Sequence, residues 1–131
     1  MIPGGVRIFV CTEPVDMRQG FDRLAQTARD RVGRDPVDGG ALFVFANRRA
    51  TRLKLLWFER NGLCLLYKRL HGAVFELPAA AIGSATVHID ASALAKLLAG
   101  VPREDRGARK NGRRRRPALD KDRADHAFDT V

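Results

Sequence analysis

Arg52 and Lys54 stand two positions apart, Arg69 and His71 stand two positions apart, and Asn61-Gly62 lies between the pairs. Asn-Gly is the strongest short signal for a two-residue β-hairpin turn, because such turns need positive φ at their centre. Side chains alternate along the flanking strands, residues 53–60 and 63–70. All four basic groups therefore share one face, at the end away from the turn. With Asn61 and Gly62 as the loop, Phe58 pairs with Leu65, Leu56 with Tyr67 and Lys54 with Arg69, while Trp57 pairs with Leu66 on the other face. Like charges placed opposite one another cost stability, so this cluster suits an anion. Arg48 and Arg49, in the preceding connection, extend it, and arginine forks match phosphate oxygens. The plainer reading spreads these side chains into water or pairs them with Glu59 or Glu76.

Other chemistry is poorly supplied. Glu13, Asp16 and Asp22 make an acidic trio, but Asp16 reads as a helix cap and Asp22 as a surface residue beside Arg23. No Asp or Glu stands two residues before a lysine as a nuclease dyad requires: Lys54 follows Arg52 and Lys68 follows Leu66. Cys11 and Cys64 with His71 and His88 lack the close ligand pairs of metal sites, so no metal and no cofactor is expected. Ser84 and Ser92 sit in no nucleophile elbow, and no glycine-rich phosphate loop precedes a helix. No helix-turn-helix spacing, RNP motif or zinc-finger ligand set is present. Trp57, Tyr67, Phe43, Phe45 and Phe58 read as core residues of alternating strands.

Stepwise along the chain, residues 6–11 form a β-branched run closed by Thr12-Glu13-Pro14, a first strand. Asp16 then serves as N-cap for a helix whose Phe21, Leu24, Ala25, Ala28 and Val32 make one apolar stripe ending at Gly33. Turn chemistry follows in Asp35-Pro36 and Asp38-Gly39-Gly40. Residues 41–46 are a strand too apolar to have a solvated face. After the hairpin, His71-Gly72 turns the chain into a further strand, residues 73–77, completing a meander. A weak strand, residues 86–89, precedes Asp90, which caps a short helix carrying Leu94, Leu97 and Leu98 and ending at Gly100. The pattern is α+β: two helices packed on a mostly antiparallel sheet of about five strands.

The 131 residues carry 24 Lys plus Arg against 15 Asp plus Glu, a formal charge of +9. One domain is expected at this length, covering residues 1–101, with residues 102–131 as a basic, disordered tail. Both parts are basic: the first hundred residues hold 14 basic and 9 acidic side chains, and the remainder holds 10 and 6. The run Arg113, Arg114, Arg115 and Arg116 attracts any polyanion through counterion release. Two cysteines are too few for a disulfide framework, and no stretch is long and apolar enough to span a membrane. A cytoplasmic protein is expected.

Several ordered blocks resemble a known family. Met1-Ile2-Pro3, Val6-Arg7-Ile8 and Asp16-Met17-Arg18-Gln19-Gly20-Phe21-Asp22-Arg23-Leu24-Ala25 open the pattern. Leu42-Phe43-Val44-Phe45, Lys54-Leu55-Leu56-Trp57, Asn61-Gly62-Leu63, Tyr67-Lys68-Arg69-Leu70 and Phe75-Glu76-Leu77-Pro78 continue it in order. The blocks span about three-quarters of the chain and are similar to the Orf2-like (TnpB) family of insertion-sequence family sixty-six. Two departures stand out: Leu77 replaces the aromatic usual before the proline, and the chain after Val101 is longer and richer in arginine.

The resemblance implies a bacterial mobile-element protein that assists transposition beside a separate transposase carrying the acidic strand-transfer site. It brings no catalytic residues to carry over. A non-catalytic accessory factor is therefore expected, binding DNA at the element ends through Arg48, Arg49, Arg52, Lys54 and Arg69 and assisting the cognate transposase and other element-encoded proteins. Among the matching positions Arg18 is the one that capping and packing do not explain, and it joins this set with the four tail arginines. The alternative is a protein adaptor that docks on the transposase without touching DNA.

Overall fold

A computed structural model describes residues 5–103 of the chain. Five strands form the main sheet: β1 (Arg7–Cys11), β2 (Ala41–Ala46), β3 (Arg52–Glu59), β4 (Gly62–Arg69) and β6 (Thr86–Ile89), in the order β4-β3-β2-β1-β6. Only β1 and β2 run parallel, as a crossover through α1 (Phe21–Thr27) requires; the other three pairings are antiparallel. The expected α+β architecture is the observed one.

The two helices take opposite faces. Leu24, Ala25 and Ala28 pack with Phe43, Phe45 and Leu56 on one face, while Leu94 and Leu97 of α2 (Ala91–Ala99) pack with Val44, Leu55 and Trp57 on the other. Strand alternation explains the split, and it explains why all six residues of β2, covered from both sides, are buried. Each fully buried Leu or Phe contributes roughly 1.5–3 kcal/mol. Asp90 caps α2 as expected, its carboxylate accepting from the Ala93 N–H at 2.7 Å. Lys68 Nζ closes the other end by donating to the Leu98 carbonyl at 2.8 Å.

Three expectations need correction. Asp16 does not cap α1. The helix begins at Phe21 with Gly20 as its N-cap, then runs into a π-helical turn (Ala28–Val32) that ends at Gly33 in the left-handed conformation. Residues 73–77 do not complete a meander: only β5 (Ala73–Val74) is strand, and it pairs outside the main sheet with β7 (Val101–Pro102). The hairpin loop is Arg60-Asn61 rather than Asn61-Gly62, with Glu59 opposite Gly62 and Arg60 at φ 61°.

A left-handed non-glycine residue costs roughly 1–2 kcal/mol, so the observed register must recover that from its pairs. It sets Leu55 opposite Leu66, Leu56 opposite Leu65 and Phe58 opposite Leu63, apolar against apolar. The expected alignment would have set Leu56 against Tyr67 and Lys54 against Arg69. A slip of two keeps every side chain on its face but changes every partner.

No helix among the described residues is long and apolar enough to cross a membrane. The expected basic tail, with Arg113, Arg114, Arg115 and Arg116, lies outside the described residues.

Candidate nucleic-acid interface

The register decides where the hairpin cations go. Lys54 faces Tyr67 rather than Arg69, and Arg52 faces Arg69. Lys54 is 6% exposed and Arg52 is 4% exposed, so the expected solvent-facing cluster is not formed by these two side chains. Lys54 Nζ donates to the carbonyls of Met17 at 2.7 Å and Gln19 at 2.8 Å, and lies 4.7 Å from the centre of the Tyr67 ring. Its donors are spent inside the protein, where they tie β3 to the segment that leads into α1. Burial pushes the Lys54 ammonium below its ordinary pKa, and the Asp16 charge partly offsets this. Arg52 Nη1 donates to the Tyr67 hydroxyl at 2.9 Å.

Arg48 and Arg49 behave differently. They sit in the connection between β2 and β3, and both are exposed. Asn47 fixes that connection: its Oδ1 accepts from the N–H groups of Thr51 at 3.0 Å and Arg52 at 2.9 Å, and its Nδ2 donates to Thr51 Oγ1 at 3.1 Å. An Asn side chain that substitutes for backbone partners in this way shapes a tight loop, and Ala50 completes it at φ 58°. The two guanidinium groups are thus carried outward on a braced turn. Arg69 is half-buried and His71 exposed at the neighbouring end of β4.

Arg18 is explained by Asp16. Its Nε and Nη2 reach both Asp16 carboxylate oxygens at 3.1 and 2.7 Å, and its backbone N–H donates to Oδ1 at 2.9 Å. The Arg18 guanidinium and then its amide hold the Asp16 carboxyl down, at a pKa of about 2. The acidic trio is dispersed: Glu13 pairs with Arg31 at 3.4 Å, and Asp22 lies exposed on α1. Glu59 accepts from Trp57 Nε1 at 3.1 Å. Cys11 and Cys64 are free thiols that join different core clusters, on opposite faces of the sheet. Among the described residues no group of three His, Cys, Asp or Glu side chains is placed to hold a metal.

Sequence reasoning missed a row of rings. Phe43, Phe9 and His88 are cross-strand partners on β2, β1 and β6, and the Arg34 guanidinium carbon lies 4.8 Å from the centre of the Phe9 ring. The signal for it was the same period-two alternation used for the hairpin, but β1 and β6 are some eighty positions apart. Their pairing cannot be read from spacing alone.

Comparison with known proteins adds the lineage. A family model described as IS66 Orf2-like protein matches residues 6–108. The chain is similar to "Uncharacterized protein y4hO" of Sinorhizobium fredii, 38% identical over 103 residues, which is 77% of this chain and 87% of that protein. It is also similar to "Uncharacterized protein y4jC" of the same organism, 32% identical over 97 residues, covering 74% and 80% of the two chains. No solved structure matches it. A match over this much of the chain, with the blocks on the elements described above, means that the protein belongs to the IS66 Orf2-like family.

Proposed function

We propose that this protein is a non-catalytic accessory factor of insertion-sequence transposition that binds duplex DNA and assists the element's transposase. Family membership supports the process, and the braced loop that carries Arg48 and Arg49 outward supports the DNA contact. Arg69, half-buried behind that loop, adds a third cation, and the four tail arginines add sequence-independent attraction. Lys54 and Arg52 serve the interface indirectly, by holding β3 against the segment before α1 and against Tyr67. Arg18 offers fewer donors, because Asp16 occupies its Nε and Nη2. The surface positions a phosphate backbone and reads no bases.

A salt titration of duplex binding tests this. Replacing Arg48 and Arg49 together with Ala is expected to lower the slope of log affinity against log salt by about 2, since each phosphate contact contributes roughly 0.9. An unchanged slope removes the loop from the interface. Capture of the cognate transposase that survives nuclease treatment, together with an unchanged slope, selects the adaptor reading instead.

A further inference from the structure

The face of the sheet covered by α1 carries an ordered row of rings that runs from the core to the edge. Phe43 and Phe9 have centroids 6.0 Å apart and planes 23° apart; Phe9 and His88 have centroids 5.1 Å apart and planes 25° apart. All three residues are register partners on neighbouring strands, so the rings cross the sheet one strand at a time. Exposure rises along the row: Phe43 is fully buried, Phe9 is half-buried and His88 is exposed. Among the described residues β6 is the edge of the sheet, and no further strand follows the last ring.

Cations flank the middle ring. Arg34 lies over Phe9, and a guanidinium stacked on a ring keeps its in-plane donors available for oxygen acceptors. Arg7, two positions from Phe9 on the same strand face, is exposed. Neither Arg7 nor Arg34 forms an ion pair with a carboxylate among the described residues. Strand pairing accounts for both ring contacts; what it leaves unused is the outer imidazole, exposed on the last strand near two guanidinium groups that have no carboxylate partner among the described residues. Stacked rings beside a positive groove are how proteins hold unpaired bases.

We propose that the β1–β6 end of the sheet binds single-stranded DNA, with an unpaired base stacking on His88 as the next step of the row and Arg7 and Arg34 meeting the flanking phosphates. The choice of DNA rests on the transposition reading; the stacking site does not. The protein would then grip duplex at the Arg48-Arg49 loop, between β2 and β3, and unpaired strand at β6.

The test uses the full chain at raised salt, where backbone attraction is weakened. Two fluorescent strands of equal length and charge are compared, one of deoxythymidine and one abasic throughout. Wild-type protein is expected to bind the base-bearing strand about tenfold or more tightly. His88→Ala should abolish that preference, and His88→Tyr should restore it. Equal binding of the two strands by wild-type protein overturns the proposal, and this comparison needs no variant to fold. Retention of the preference in His88→Ala overturns it as well. Duplex binding by Arg48→Ala/Arg49→Ala is read separately, so either site can fail without the other.

Discussion

The two ends of the α1-covered face hold a cation against a ring in nearly the same geometry, Lys54 at 4.7 Å from Tyr67 and Arg34 at 4.8 Å from Phe9, yet they have opposite uses. At the hairpin end, the segment before α1 brings two carbonyls onto the Lys54 ammonium. At the β1–β6 end, Arg34 is exposed and has no carboxylate partner among the described residues. An ammonium is a point donor that two carbonyls can nearly saturate, whereas a stacked guanidinium keeps its fork. A cation beside a ring is therefore no sign of a ligand by itself. What distinguishes the ends is whether the donors are already spent.

Lys54→Met should break the hairpin end most severely. Methionine fills similar space but cannot donate, leaving the Met17 and Gln19 carbonyls without their partner, at a cost of about 2–3 kcal/mol in urea unfolding. Arg34→Ala, which removes only an exposed stacking contact, should cost about 1 kcal/mol or less. Equal losses would erase the distinction. The pH dependence carries a definite sign. Burial lowers the Lys54 pKa in the folded protein below its ordinary 10.5, so just below pH 10.5 the unfolded chain binds the extra proton. Wild-type stability should therefore gain from this group as pH rises through that window, and Lys54→Met should lack the gain.

A smaller effect separates the two jobs of Tyr67. Tyr67→Phe keeps the ring beneath Lys54 and removes the hydroxyl that accepts from Arg52 Nη1. Loss of that partly buried contact to a charged donor should cost about 1 kcal/mol while the Lys54 pH dependence persists. Disappearance of the pH dependence would mean that the hydroxyl, rather than the ring, fixes the ammonium.

The contrast also shows which part of the fold could be read in advance. The apolar run of β2, the helical stripe ending at Gly33 and the Asp90 cap are local patterns, and each led to an element of the right type. The hairpin register is harder to read because Asn61-Gly62 favours one turn while the pairing of Leu55 and Leu56 with Leu66 and Leu65 favours another one residue earlier, which slips the register by two. Pairing across eight positions outweighed one turn preference. Whether Lys54 points to solvent depends on Met17 and Gln19, thirty-five or more positions away, and no spacing along β3 encodes that. The ring row was hidden for the same reason: Phe9 and His88 are unremarkable until the strand order sets them side by side.

The smallest expected effect concerns the segment that covers Lys54. Asp16 is held at a pKa of about 2, against an ordinary 3.8, first by the Arg18 guanidinium and then by the Arg18 amide. The folded state thus favours the carboxylate, and between pH 3.8 and about 2 the unfolded chain takes up the proton first. Any stability this pair supplies is complete above pH 3.8 and is lost as pH falls through that interval. Both groups are exposed, so the contribution is small and is better followed at the carboxyl itself. In an NMR titration, Arg18→Gln should raise the Asp16 midpoint, though not fully to 3.8, because the backbone N–H at residue 18 remains. A midpoint that stays near 2 would assign the whole shift to the amide and free Arg18 for another partner. The same variant should leave Lys54 buried, since carbonyls rather than the Asp16–Arg18 pair receive its protons. If the Lys54 pH dependence moved with it, the carboxylate would share in holding the ammonium, and the two ends of the sheet would differ in electrostatics as well as in spent donors.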